Sequence, residues 1–591
     1  MSNFQFQVNL SAFIQLLSEN LYSDPKVFLR EAIQNAVDAL HARTQLGHDF
    51  APAIDIETNF DPATGDRRLL ISDNGVGLTE GEIHQFLARI ASSTKRDAEV
   101  TGGYIGQFGI GLLSCFMVAE EIVMITRSAK GGPAYQWTGR VDGTYSVEEL
   151  RSEQAIGTKM YLTARPDRRA LFEEERIKTL VQYFAEYLNP PIRLNNRQVN
   201  SGRTPWEMHF PSREMEQQTL LAYGKKAFGE DFMAALPIKT RDGHTDGALF
   251  FLPYATRQEG RNRVYLKRML LTSEATKILP EWASFVKAVI NTDRLTPLLS
   301  REVFRDDANL TELRRELGET IKAYLRQLAN AGDPLLNDIL RVHGVALMVL
   351  AQRDADLFDA LVPLIRFETP LGYMTLPVFA RLYGKLPYVT IRADYEQIRS
   401  LSPDSPTPML LLESDISLGF VKEFYKLNPE LTLEKLSVGS EMKRLSDTTL
   451  MGEDEQRFVV LAEEFLGSMN LKVAYRGFEP PENPVLLAAT DALGLSRDMM
   501  SQRTLVGTTF MDQVLSSMRN SMKGVPAGEI VFNAHNPMIR KLAAHSSEEV
   551  QLAYIQILYL QSLLANHHAL RPDELAMQEK ALGVLLNRIP A

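Results

Sequence analysis

The sequence contains a single cysteine, Cys115, in 591 residues. One thiol excludes an internal disulfide framework and any cysteine-based zinc site, and it fits a reducing compartment. Positive charge is also short, with 64 Lys and Arg against 74 Asp and Glu and a formal net charge of −10. That balance gives no broad basic surface for a phosphate backbone, so nucleic acid is not the expected partner. The N-terminus, MSNFQFQVNL, lacks the basic region and apolar run of a signal peptide, and no uninterrupted apolar segment is long enough to span a bilayer. Internal repeats, low-complexity tracts and long charged linkers are missing too. The expectation is a soluble cytoplasmic protein without a membrane partner. Its composition, 45% hydrophobic and 23% charged, is that of an ordinary folded chain, and its length predicts about three or four domains.

The first two hundred residues alternate helical and strand patterns. FQFQVNL reads as a strand and AFIQLLSENLY as a helix. FLREAIQNAVDAL, Phe28 to Leu40, reads as a second helix, with Asp24 as N-cap and Pro25 at its first position. AIDIETNF and RRLLISDNG look like strands joined by the turn-rich DPATGD, and EIVMITRS, AYQWTGRVDG and TKMYLTAR continue a largely antiparallel sheet with helices on one face. After the helical EEERIKTLVQYFAEYL, the Pro, Gly and Asn content of NPPIRLNNRQVNSGRTPW marks a boundary near residues 195 to 205. A second α/β region follows, then long helical patterns to about 345, a further α/β portion to about 445, and a mainly helical remainder.

Three features carry chemistry. On the first of them, the helix from Phe28, Glu31, Asn35 and Asp38 project within a narrow arc. With Lys26, Arg30 and Gln34 on the same side, periodicity alone reads that arc as a solvated face. Next, Asp73 ends a strand in SDNGVGL, where Gly75 and Gly77 permit a tight turn and leave room for a flat ring whose amino group the carboxylate accepts; an Asx turn explains DNG equally well. Finally, GGYIGQFGIG places Gly102, Gly103, Gly106, Gly109 and Gly111 before the apolar LLSCFMVA. Backbone N–H groups of such a loop can converge on phosphates, aided by a helix dipole worth about 0.3–1 kcal/mol, although a structural turn uses the same glycines. Downstream, Gly157 and Thr158 open a strand from which the threonine hydroxyl can assist Asp73.

The order of these features resembles the split ATPase fold shared by gyrase B, histidine kinases, MutL proteins and the heat shock protein 90 chaperones. FLREAIQNAVDAL, ISDNGVGLT, IASSTK and IGQFGIGLLSCFMVAEEIVMITRS resemble the chaperone branch, as do TPW, VYLKRMLLTSEATKILPEWASFVKAVINTDRLTPLLSRE and NAHNPMIRKLA further on. The resemblance implies an α+β protein. Its parts would be an N-terminal ATPase α/β sandwich (Bergerat fold) over 1–197, an α/β middle domain over 198–445 and a mainly helical dimerisation domain over 446–591. It implies an ATPase in which Glu31 activates the attacking water and Asn35 coordinates Mg²⁺ on the ATP phosphates. Asp73 would bind the adenine amino group with help from Thr158 and the Gly77–Leu78 turn. Gly106, Gln107, Phe108, Gly109, Ile110 and Gly111 would close over the phosphates, and Arg301 in LLSRE would reach the γ-phosphate. Departures from the family pattern, Leu298, Arg305, Leu112 and Ser92, bear on turnover and lid kinetics.

The same resemblance implies a homodimer through the C-terminal region and partly folded client proteins as partners. It implies no tetratricopeptide co-chaperone, because no acidic peptide follows Pro590–Ala591. SSEEVQLAYIQILYLQSLLANH opens with a capping-box pattern, Ser546 to Glu549, and Leu575, Leu582, Leu585, Leu586 and Ile589 share a helical face. Met511, Val514, Leu515, Met518 and Met522 form another stripe, suited to core packing, to dimer packing or to client contact. Two alternatives remain at this point: a nucleotide-gated scaffold with negligible hydrolysis, and a MutL-like DNA enzyme.

Overall fold

The computed structural model describes residues 24–87, 111–256, 260–297, 304–400, 406–445, 447–448, 451–489, 527–566 and 568–587. The first strand and helix read from the sequence, the IASSTK segment with Ser92, and loop residues Gly102, Gly103, Gly106, Gln107, Phe108, Gly109 and Ile110 lie outside the described residues. So do Leu298, Arg301, Ile589, the chain end and the Met511–Met522 stripe. The chain divides into two compact units, residues 1–328 and 329–591.

The first unit is built on helix α1 (Val27–Gln45) and an eight-stranded sheet. The strands are β1 (Ile54–Phe60), β2 (Arg67–Asp73), β3 (Ala119–Arg127), β4 (Ala134–Arg140), β5 (Tyr145–Leu150), β6 (Gly157–Ala164), β7 (Ile192–Leu194) and β8 (Arg197–Gln198). Their order is β5-β4-β3-β6-β2-β1-β7-β8, antiparallel except for the β1–β7 pair. Alternation sets the faces: Leu69 and Ile71 of β2, Met160 and Leu162 of β6, and Ile122 and Met124 of β3 are buried and lie opposite one another across the three strands. Against them α1 contributes Phe28, Leu29, Ala32, Ile33, Ala36 and Leu40 to one core. Helix α2 (Glu174–Ala185) buries Ile177, Leu180, Val181 and Phe184 at helical spacing.

Capping of α1 differs in detail from the sequence reading. The regular helix begins at Val27, preceded by a turn in which Asp24 Oδ1 accepts from the Lys26 N–H at 3.0 Å. Asp24 thus caps the turn at Pro25 rather than the first residue of the regular helix.

The same core continues into a five-stranded sheet, order β12-β11-β13-β10-β9, formed by β9 (Ala234–Lys239), β10 (Thr245–Phe251), β11 (Asn262–Leu266), β12 (Met269–Ala275) and β13 (Val286–Thr292). Trp206 is the hinge of this continuity. Its indole packs on Tyr187, Tyr223 and Tyr265, and its Nε1–H donates to Asp246 Oδ1 at 2.6 Å. Burial raises the Asp246 carboxyl above its ordinary value, which the Trp206 and Asn291 donors oppose.

The second unit holds α5 (Pro334–Ala351), which follows α4 (Ala308–Ala331) after α3 (Arg213–Phe228), a β14–β15 hairpin (Arg366–Thr369, Gly372–Thr375) and a three-stranded parallel sheet of β16 (Leu386–Val389), β17 (Leu410–Leu411) and β18 (Leu433–Lys435). Helices are in the majority toward the C-terminus, but they pack beside a four-stranded sheet absent from the sequence reading: β19 (Asp447–Thr448), β20 (Leu471–Gly477), β21 (Val485–Ala489) and β22 (Gly528–Asn533). The expected Ser546–Glu549 capping box is not formed. The helix Glu548–Ala565 has Ser547 as its N-cap, without a side-chain cap bond, and the Ser547 N–H donates to His545 Nδ1 instead. One described helix, α5, has a length and composition sufficient to cross a membrane, and a third of it is buried within the chain. Asn337, Asp338, Arg341 and His343 interrupt its apolar residues.

The Trp206–Asp246 bond yields a first test. Trp206→Phe keeps the aromatic packing and removes the donor, so urea unfolding is expected to show a loss of about 1–3 kcal/mol. Stability equal to that of the parent would contradict the role assigned to this bond.

Candidate active site

The apolar rows of β2, β6 and β3 end in polar residues. Continuing Leu69 and Ile71 brings β2 to Asp73; the register then sets Asp73 opposite Thr158 on β6, and Thr158 opposite Thr126 on β3. Directly opposed residues of antiparallel strands share a face, so Asp73, Thr158 and Thr126 form one polar row at the end of a hydrophobic surface. Thr126 had no part in the sequence reading. Its signal was the alternation of Ile122, Met124 and Thr126, which turns the threonine inward.

The chain leaves β2 through a turn that only glycine permits. Gly75 N–H donates to Asp73 Oδ1 at 2.8 Å, and a Cβ on Gly75 would lie 2.5 Å from Ala39 Cβ on α1. Gly77 has φ of +63°, and a Cβ there would stand 2.0 Å from the Arg127 carbonyl oxygen. Backbone bonds fasten this turn to both neighbours: Val76 N–H donates to Ala39 O at 2.9 Å, and Ala129 N–H to Val76 O at 2.7 Å. Leu78 N–H donates to Thr126 Oγ1 at 2.9 Å. Asn74 points the other way, accepting from Ala53 N–H and donating to Ala51 O, while its own carbonyl accepts from Arg43.

Asp73 is half-buried, and the donors that meet its carboxylate are backbone amides rather than cations. Burial pushes its carboxyl from 3.8 up to about 7, against the opposing effect of the Gly75 and Thr158 backbone donors. No cation is among the causes of the shift, so the site favours a ligand group that donates a hydrogen bond to the carboxylate.

On α1, the polar arc is not a solvated face. Glu31 is 2% exposed, and Arg30, Gln34 and Asp38 are buried with it. Burial follows from what covers this end of the helix. Arg30 directs Nε and Nη2 at Glu31 Oε1 (3.3 and 3.2 Å), donates from Nη1 to Leu271 O on β12 at 3.1 Å, and lies over the Phe184 ring. The other carboxylate oxygen, Oε2, faces Gly111, where a Cβ would come within 2.6 Å of it. Asn35, one turn on, is exposed. Gly111 begins a 3₁₀ segment to Met117 in which Ser114 Oγ donates to Gly111 O; Leu112 there is half-buried. Next to it, burial and the Glu31 carboxylate push the Cys115 thiol up to about 12, so that thiol is unreactive.

Of the residues expected to form the site, Asp73, Gly77, Leu78 and Thr158 come together at one end of the sheet, and Glu31 and Gly111 meet on α1. The remaining loop residues and Arg301 lie outside the described residues; Arg305 follows a β-bridge of Phe304 with Pro297.

Two family models match the chain in order. The first, the histidine kinase-, DNA gyrase B- and HSP90-like ATPase, covers residues 22–158, and the second, the Hsp90 protein, covers 245–375. The chain is similar to the chaperone protein HtpG of Chlorobium luteolum, 27% identical over 64% of this chain and 65% of that protein. It is 26% identical to the mitochondrial heat shock protein 75 kDa of Rattus norvegicus over 63% of this chain and 56% of that one. The match to the HtpG of Chlorobium phaeobacteroides, 28% identical, extends over 91% of this chain and 93% of the relative. The chain thus spans under two thirds of the first relatives it matches and nearly all of another, and the matches favour the chaperone branch over the DNA-repair one.

A pH dependence follows from Asp73. Because its folded value of about 7 lies above the ordinary 3.8, the folded chain keeps a proton that the unfolded chain has lost in that interval. The associated stability is complete below the lower value and disappears as pH rises through the upper one. Asp73→Asn, neutral throughout, is expected to be more stable than the parent by about 1–3 kcal/mol at about pH 8 and equal to it near pH 4 in urea unfolding. Equal stability at both pH values would refute the burial of this charge.

Proposed function

We propose that the chain, which matches the Hsp90 protein model and HtpG relatives, is an ATP-dependent chaperone of the heat shock protein 90 family, a homodimer that closes and opens on partly folded client proteins as ATP is bound and hydrolysed. The observation that carries this reading is the desolvated Asp73 carboxylate beside Thr158 and a glycine turn, with the buried Glu31 on the neighbouring helix. The adenine amino group donates to Asp73, Thr158 assists, and Gly77 and Leu78 let the flat base lie against backbone. Gly106, Gln107, Phe108, Gly109, Ile110 and Gly111 enclose the phosphates.

Glu31 orients and deprotonates the attacking water through Oε2, the oxygen on the Gly111 side, while Oε1 is held by Arg30. Asn35 suits Mg²⁺: it offers an exposed, hard oxygen donor one helical turn from Glu31, and this ion commonly takes only one or two protein oxygens beside phosphates and water. Mg²⁺ would neutralise phosphate charge. Arg301, on the segment between Pro297 and Phe304, stabilises charge on the γ-phosphate when that segment docks.

The proposed division assigns 1–197 to ATP binding, 198–445 to the middle domain and 446–591 to dimerisation, in the cytoplasm. Support for the last comes from the helix Pro572–Leu586, whose Leu575, Leu582 and Leu586 share a face and are exposed in the single chain. A second reading, a nucleotide-gated scaffold with negligible hydrolysis, draws on the engagement of Glu31 by Arg30.

Two experiments test the proposal. Asp73→Asn is expected to abolish ATP binding in calorimetry, and unchanged affinity would overturn the adenine assignment. In an aggregation assay with a chemically denatured enzyme, the parent is expected to protect the client in an ATP-dependent manner. Glu31→Ala should bind ATP with parental affinity and lose that dependence; protection indifferent to ATP in the parent would favour the scaffold.

A further inference from the structure

Thr126 is 1% exposed, and its hydroxyl lies between the turn after β2 and the start of β6. Oγ1 is 2.9 Å from the Leu78 nitrogen, 3.2 Å from the Gly157 carbonyl oxygen and 3.1 Å from Thr158 Oγ1. A hydroxyl has one hydrogen and two lone pairs. Leu78 N–H can only donate, so it occupies one lone pair. The Gly157 carbonyl can only accept, so it takes the Thr126 hydrogen. The third contact then has one polarity: Thr158 donates its hydrogen to Thr126. The opposite assignment, Thr126 donating to Thr158, forgoes the bond to Gly157 O in a buried place, where a missed bond is costly.

We propose that Thr126 is a positioning residue that sets base specificity, by turning Thr158 into a hydrogen-bond acceptor and anchoring the glycine turn through Leu78. With its hydrogen committed to Thr126, Thr158 offers only lone pairs to the pocket, beside an Asp73 carboxylate that also accepts. Two neighbouring acceptors match an exocyclic amino group and repel a carbonyl oxygen, so this row selects a 6-aminopurine over a 6-oxopurine. Gly157 reinforces the arrangement: its φ is +129°, and a Cβ there would lie 2.1 Å from the Asp73 carbonyl oxygen, so the peptide carrying the acceptor of Thr126 cannot shift to admit another residue.

The inference rests on the nucleotide reading above, and its test separates the two. ATP and inosine triphosphate differ at the 6-amino edge, and their affinities are measured by calorimetry on the full chain. The parent is expected to prefer ATP. Thr126→Val frees the Thr158 hydrogen to meet a 6-oxo group, so the preference should narrow by about tenfold, roughly the worth of one buried hydrogen bond. Thr126→Ser, which keeps the hydroxyl, should restore it. Thr158→Val should narrow the preference similarly, and adding Thr126→Val to it should narrow it no further; Thr126→Ala, which also removes the hydroxyl, carries the test if Thr126→Val does not fold. Equal weakening of both nucleotides in Thr126→Val, with the preference intact, overturns the role of Thr126 and leaves the pocket standing. A parent that binds neither nucleotide overturns both.

Discussion

The half-buried carboxylate of Asp73 sits where a hydrophobic sheet face runs out, and backbone amides supply its hydrogen bonds. That arrangement requires close approach from three directions: the turn after β2, the strand end of β6 and the back of α1. Glycine at 75, 77 and 157 is what permits it, since a Cβ at any of them would collide with Ala39, the Arg127 carbonyl or the Asp73 carbonyl. The sheet register, the helix packing and the turn are thus mutually constrained around one charge. A larger residue at any of those positions would move the carboxylate or admit water to it, and in either case the preference for a donating ligand would weaken.

From this anchor the pocket extends along α1. The helix that supplies Ala39 to the turn also supplies Glu31 two turns earlier, so the spacing between the Asp73 turn and Glu31 is set by helical rise. Glu31 is in turn tied, through Arg30, to the Leu271 carbonyl on the second sheet of the same unit. The Glu31 carboxylate and the second sheet therefore share one guanidinium, and the aromatic group of Tyr187, Trp206, Tyr223 and Tyr265 makes the packing between the two sheets continuous. Movement of β12 against α1 would be felt at Glu31 before it reached Asp73.

Much of this was readable from the chain because it depends on local rules. Alternation located β2, β3 and β6, and the glycine spacing after Asp73 marked a place where backbone comes close. What stayed hidden depends on neighbours. Arg30 and Gln34 looked solvated because periodicity records residue type and not what covers a helix face; Arg30 meets Leu271, some 240 residues away, and the Phe184 ring. Thr126 looked like any β-branched strand residue until the register set it opposite Thr158. The C-terminal sheet escaped notice because β20 pairs in parallel with β22, more than fifty residues later, and no hairpin turn announces such a pairing. Ser546 is not the cap because the helix begins one residue later, with Ser547 in the N-cap position.

The central claim is that Glu31 and the Asp73 pocket together make a site that turns ATP over. Steady-state phosphate release by the full chain at saturating ATP and Mg²⁺, with Glu31→Ala as the blank, tests it most directly. The account predicts slow release above the blank; release no greater than that of the variant would contradict it.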